Sequence, residues 1–157
     1  RGPADPRLAP GRCVDDRVVA VIKDLRPALR AFLLADTAIA AVVAVRIFPS
    51  VLPQGVSATS LVYHRVSGFG DHHMEGPSGY AVGRWQIAAW SESLDTAEAL
   101  ANLVKYRLDG YRGGMGSGGQ AVKVQGAFYE SDNPPAYDAA RRLYSVGRDY
   151  MIHVAER

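Results

Sequence analysis

The sequence predicts an α+β fold: a four-stranded, mostly antiparallel sheet with helices packed on one face, in the order α-α-β-β-α-β-β. Three observations carry this reading. Apolar residues at helical spacing occur near the start of the chain and again in its middle. Segments rich in β-branched and aromatic residues flank that middle helix. No βαβ unit repeats, which argues against a doubly wound parallel sheet.

Residues 1–12, RGPADPRLAPGR, hold three prolines and little apolar content. Residues 1–23 are read as a flexible extension, ahead of a single domain over 24–157. The apolar, β-branched run at 18–22 fits helix or strand. Pro27 suits a first helical turn, where a missing N–H costs nothing. Leu29, Phe32 and Leu33 then make one apolar stripe. Asp36 is placed to cap a second short helix over 38–43. Pro49 and Pro53 force an extended exit. Residues 59–66, TSLVYHRV, read as a strand, with Leu61, Tyr63 and Arg65 on one face and Val62, His64 and Val66 on the other. Four glycines and Pro77 make 67–79 a long loop.

The second strand covers 80–90. It carries Trp85 and Trp90 at opposite parity, so both of its faces need a cover: a helix on one, and on the other often a second subunit. Ser93 or Asp95 caps a helix that runs to Leu108, with Leu94, Ala97, Leu100, Ala101, Val104 and Leu108 as its buried stripe and Gly110 as its stop. Residues 111–120 form a glycine-rich loop, 121–130 a third strand, and 132–141 a turn region with Pro134 and Pro135. The fourth strand covers 143–154, with Val146, Tyr150, Ile152 and Val154 mostly on one face.

Composition narrows the function classes. Apolar residues at 48% and charged residues at 22% fit a globular chain. A net charge of +2 does not argue for nucleic-acid binding by charge alone. Cys13 is the one cysteine, so neither an internal disulfide framework nor a cysteine zinc site is expected. The longest apolar run, 38–45, is 8 residues, against the ~20 a membrane-spanning helix needs. No membrane partner is expected.

No motif supplies convincing chemistry. The run GGMGSGG at 113–119 contains a formal G-x-G-x-x-G, yet it follows a helix and opens a strand. A dinucleotide loop does the reverse. His72, His73 and Glu75 are the most metal-like group. Adjacent histidines on a strand point to opposite faces, and a catalytic zinc needs three ligands with supporting partners, so a solvated loop is the better reading. No serine sits in a strand-turn-helix elbow. No catalytic, cofactor or metal residues are assigned, and no enzyme activity is expected.

Five blocks in order carry a resemblance: LRPALRAFLLADTAIAAVV (25–43), RIFPSVLPQG (46–55), TSLVYHRVSG (59–68), RWQIAAWSESLDTAEALANLVKYRLDG (84–110) and YDAARRLYSVGRDYMIHV (137–154). Together they resemble the tail-completion or tail-terminator family of long-tailed bacteriophages and prophage-derived particles. The extension at 1–23 and the glycine run at 113–119 depart from that pattern. The resemblance implies a structural virion protein that forms a homohexameric ring at the head-proximal end of the tail tube, ends tube growth and joins the tail to the head connector. Implied partners are further copies of the chain, the tail tube protein, the connector or stopper protein, and genomic DNA passing through the lumen without sequence-specific binding. The implied location is the neck of the virion, after assembly in the host cytoplasm. Trp85, Trp90, Phe69, His72, His73, Tyr111 and Met115 are the candidate interface residues. Two alternatives stand beside this reading: a head-side stopper or connector of the neck, and a small metal-dependent enzyme using the loop 72–75.

Overall fold

A computed structural model describes residues 24–155. The expected flexible extension at 1–23, with Cys13, lies outside the described residues. Three α-helices, α1 (Leu25–Leu34), α2 (Thr37–Val43) and α3 (Leu94–Leu108), pack on seven strands: β1 (Ile47–Pro49), β2 (Ser60–His73), β3 (Gly76–Ser91), β4 (Gly113–Met115), β5 (Val122–Asp132), β6 (Ala136–Asp138) and β7 (Leu143–Ala155). The class is α+β, but the sheet has seven strands rather than the expected four. Their order is β1-β2-β3-β7-β5-β4, with β6 pairing the first residues of β7 beyond the reach of β5. Every pairing is antiparallel except the short β1–β2 ladder.

The helices form for local reasons visible in the chain. The Asp24 carboxylate accepts from the Arg26 N–H at 3.0 Å and so opens α1. Asp36 accepts from the N–H groups of Ala38 and Ile39 at 2.9 and 3.2 Å and opens α2. Gly110 stops α3 at a positive φ of 76°, and its N–H donates to the Ala127 carbonyl at 2.7 Å. The α3 stripe is buried at Ala97, Leu100, Ala101, Val104 and Leu108; Leu94, in the first turn, is exposed. Ser93 occupies the cap position of α3 without a side-chain bond.

The helices cover one face of the sheet. Leu61 and Tyr63 of β2, Trp85, Ile87 and Ala89 of β3, and Val146, Tyr150 and Ile152 of β7 join the apolar stripes of the helices in one main core. The register explains the grouping: Trp85 lies opposite Tyr150, Ile87 opposite both Tyr63 and Arg148, and Ala89 opposite both Leu61 and Val146. Arg148 is the charged member of this face. Its guanidinium donates to Asn102 at 2.8 Å and pairs with Asp132 at 2.8 Å and Glu98 at 3.4 Å, tying α3 to the β5 edge.

Tyr150 is fully buried with its hydroxyl unpartnered in the fold. Burial pushes its phenol well above the ordinary tyrosine value, with Arg148 opposing only in part. A group whose folded pKa is raised contributes stability below its unfolded pKa, about 10 for tyrosine, and loses it as pH rises through the folded value. The chain is therefore expected to lose stability progressively above about pH 10. Tyr150→Phe removes an unsatisfied buried donor, so it is expected to hold or raise stability at neutral pH and to flatten the alkaline loss. Denaturant unfolding from pH 7 to 11 checks both.

Four readings of the sequence are corrected. Residues 67–79 are not a loop: β2 continues to His73, β3 begins at Gly76, and only Met74 and Glu75 turn between them. Shifts of register after Arg65 and Gly70 bend and twist the ribbon without ending it. The stretch 111–120 is not a bare connector, because β4 pairs with β5 and buries Met115. The turn region 132–141 contains β6. The extended exit after α2 contains β1, held by the guanidinium of Arg30 on the carbonyls of Ile47 and Val45, both at 3.2 Å.

Candidate functional site

The long β2–β3 hairpin runs past the strands that flank it. Tyr80 pairs with Ala155, the last described residue of β7, so residues 76–79 of β3 have no strand beside them on that side among the described residues. On the other side, β1 accompanies β2 only through Tyr63. From His64 onward the outer edge of β2 is unpaired among the described residues. The hairpin thus projects as a two-stranded arm. Its exposed apolar side chains are Val66, Phe69 at 64% exposure and the fully exposed Met74 at the tip. Isolated exposed apolar residues are ordinary on a surface, but a run of them along an open strand edge is a template for association.

Behind the sheet, on the face away from the helices, lies a second small core of Leu52, Val62 and Leu143, with Phe48, Val56 and Trp90 packed against it. The second cover expected over Trp90 is therefore supplied in part by the chain's own segment 48–56. That segment is pinned by Arg141, whose guanidinium donates to the carbonyls of Leu52 and Pro53 at 2.9 and 3.2 Å. A groove of about 440 Å³ opens beside it, over Ala88, Trp90 and Gly147. Two polar atoms of its lining residues, Trp90 Nε1 and His64 Nδ1, are buried without a hydrogen-bond partner in the protomer. Farther along the same face, buried Asp149 accepts from Arg84 at 2.6 Å and from Asn133 at 2.9 Å. The contact with Asp149 raises the Arg84 pKa, with Glu130 adding to it. Sequence reasoning missed this pair. Its signal was an opposite charge on each of two apolar strands, at positions that the register sets diagonally, Arg84 lying opposite Met151 and Asp149 opposite Gln86.

A larger groove of about 670 Å³ lies between the arm and the N-terminal end of α1. Trp85, Ile152 and Val154 line it, with Arg65, Arg26 and Asp24. The hydrogen bond from Arg26 holds the Asp24 carboxyl below the ordinary carboxylate range.

The seven candidate interface residues fall in different places. Phe69, His72 and His73 are exposed on the arm, and Trp90 is half-buried at the 440 Å³ groove. Tyr111 is half-buried, its ring 4.3 Å from that of Phe32 and its hydroxyl donating to the Gly114 carbonyl at 2.7 Å. Trp85 and Met115 serve the protomer core, at 5% and 0% exposure. The structure therefore does not bring the seven together. His72 and His73 are neighbours on an extended strand and face opposite ways. His153, the histidine at the base of the arm, is hydrogen-bonded to Tyr80 and packed edge-on to Phe128. Among the described residues no three His, Cys, Asp or Glu side chains converge as a metal cage. No described helix is long and apolar enough to cross a membrane.

Comparison with known proteins gives a consistent picture. One chain of a structure described as the virion of a native gene transfer agent (GTA) particle superposes with a TM-score of 0.67 at 16% identity, over 87% of this chain and 98% of that one. At that identity the likeness shows a shared fold. No curated protein sequence matches the chain. The family model for tail completion protein gp17 matches residues 27–133, which runs from the first turn of α1 through the arm and α3 to the end of β5. The chain belongs to the tail completion protein gp17 family and is a structural protein of the phage tail.

Proposed function

We propose that the chain forms a homo-oligomeric ring, a hexamer, at the head-proximal end of the tail tube. There it ends tube growth and joins the tail to the connector or stopper protein on the head side. The genome passes through the lumen without sequence-specific contact. The protein acts without catalysis, cofactor or metal, is assembled in the host cytoplasm and stays in the neck of the virion. Its domain spans 24–157. Phe69, His72, His73, Trp90 and Tyr111 are the residues proposed to meet other copies or tail partners.

The observation that carries this reading is the arm. A family member of this kind exposes Val66, Phe69 and Met74 on a projecting ribbon that nothing among the described residues covers. A ring subunit must present two unlike surfaces that fit each other, and a projecting apolar ribbon can supply one of them. A hairpin already paired within the protomer does this at lower entropic cost than an unstructured segment would.

Native mass measurement tests it. Purified protein, alone at high concentration and mixed with tail tubes, is expected to give a closed oligomer, six copies, in at least the second condition. The tube counts because a template that binds only the assembled form drives assembly by mass action. A chain that is monomeric in both conditions contradicts the ring. Copurification with filled heads instead of tubes favours a head-side stopper.

A further inference from the structure

We propose that the tip of the arm of one protomer seats in the 440 Å³ groove behind the sheet of the next, so that one contact, repeated, closes the ring. This deepens the ring reading above and rests on it.

The two surfaces match in chemistry. The groove is walled by Val51, Leu52, Ala88, Trp90 and Pro134, and Val51 is largely exposed there. The arm offers Phe69 and Met74, the two aromatic or long apolar side chains that its own fold leaves in water. The buried Trp90 Nε1 has no acceptor in the protomer. An edge strand presents unpaired backbone carbonyls, and the outer edge of β2 from His64 to His73 is such an edge among the described residues. A carbonyl of the incoming arm can take the indole N–H, satisfying a donor that burial otherwise penalises. Charge agrees. Between residues 66 and 79 the only formal charges are Asp71 and Glu75. Arg141 lines the groove but is already paired with Asp138 at 3.5 Å, so the free positive charge at the rim is the adjacent exposed Arg142, which makes no ion pair or hydrogen bond among the described residues. Opposite charge at the rim selects and orients the partner.

The occupant proposed is the arm of a second copy, because the protomer's own arm cannot reach. The groove sits at the Trp90 end of β3 and the tip at its Gly76 end, opposite ends of one ladder. Fourteen steps of extended strand separate them by roughly 45 Å. A twisted but continuous ribbon cannot fold back on itself over that span, so no protomer fills its own groove. A contact between unlike patches at opposite ends of a molecule is heterologous, and heterologous contacts build rings when the rotation closes.

The test uses particles assembled with this chain in a Cys13→Ser background. Cysteines are placed singly and together at the tip and the groove wall, as Met74→Cys and Val51→Cys, and a short bis-maleimide is added to intact particles. The double variant is expected to give a ladder of covalent multimers of this chain alone, and each single variant none. A second pair of changes, Phe69→Ala with Met74→Ala, touches only exposed side chains. It should leave the melting temperature unchanged while lowering incorporation into particles at least tenfold. A cross-link to a different virion protein overturns the choice of a second copy. No cross-link in particles where the chain is present as a ring overturns this contact and leaves the ring standing. One copy per particle sinks the ring reading and this contact with it.

Discussion

Trp85→Ala is expected to lower the unfolding free energy by ~3–5 kcal/mol, the range for truncating a large buried aromatic. For a chain of this size that is a drop in Tm on the order of 10 °C. The reason lies in how the ring is held. Trp85 is central in β3, opposite Tyr150 on β7 and Arg65 on β2. Its indole lies back over Gly83, so closely that a Cβ on Gly83 would stand 2.7 Å from Nε1. Trp85 lies among paired strands and near the first turn of α1, which Asp24 caps, so the walls have little freedom to collapse into the space left. Gly83→Ala should destabilise for the complementary reason, by pushing the ring off its seat. Trp90→Ala should cost less stability than Trp85→Ala, because Trp90 belongs to the smaller cluster and is only half-buried. Its damage should appear in assembly. Chemical denaturation of the three variants beside the parent decides this. A Trp85→Ala protein within about 1 kcal/mol of the parent would place the main core elsewhere.

Deleting the chain from a particle-producing strain is expected to leave filled heads and separate tails that do not join, with a fraction of tails longer than normal. A tube made of identical subunits has no intrinsic end, since each added layer recreates the surface to which the next layer binds. A ring that covers the last layer removes that surface and replaces it with one fitted to the head side. Infectivity or gene delivery should fall by orders of magnitude while capsid yield stays near normal. Electron microscopy of lysates, with a tail-length histogram, reads the result. Unfilled heads with joined tails of normal length would assign the chain to a step before packaging.

Much of the protein core was legible in the sequence because it rests on local signals. Asp36 before an apolar run, the α3 stripe from Ala97 to Leu108 and the stop at Gly110 each follow from capping or periodicity. The parity of Trp85 and Trp90 correctly required cover on both faces. The arm was not legible. Gly68, Gly70 and Gly76 weaken any strand signal, and Asp71, His72 and His73 give the polar look of a loop. These residues become strand because β3 lies alongside and takes up their backbone groups, a pairing that a single segment cannot announce. The strands β1, β4 and β6 are three residues each, too short for any alternation to register. The groove was hidden for a further reason. Its two sides, 50–52 and 133–141, are far apart in the chain and meet only after the sheet has brought β2, β3 and β7 together.

The proposed place of this chain is a ring on the head-proximal end of the tail. Cryo-electron microscopy of purified particles carrying a small fused tag on the chain locates it. Density for the tag is expected at one level only, between the last tube layer and the head connector, with six copies around the axis. Tag density spread along the tube, confined to the capsid or present as a single copy would contradict it.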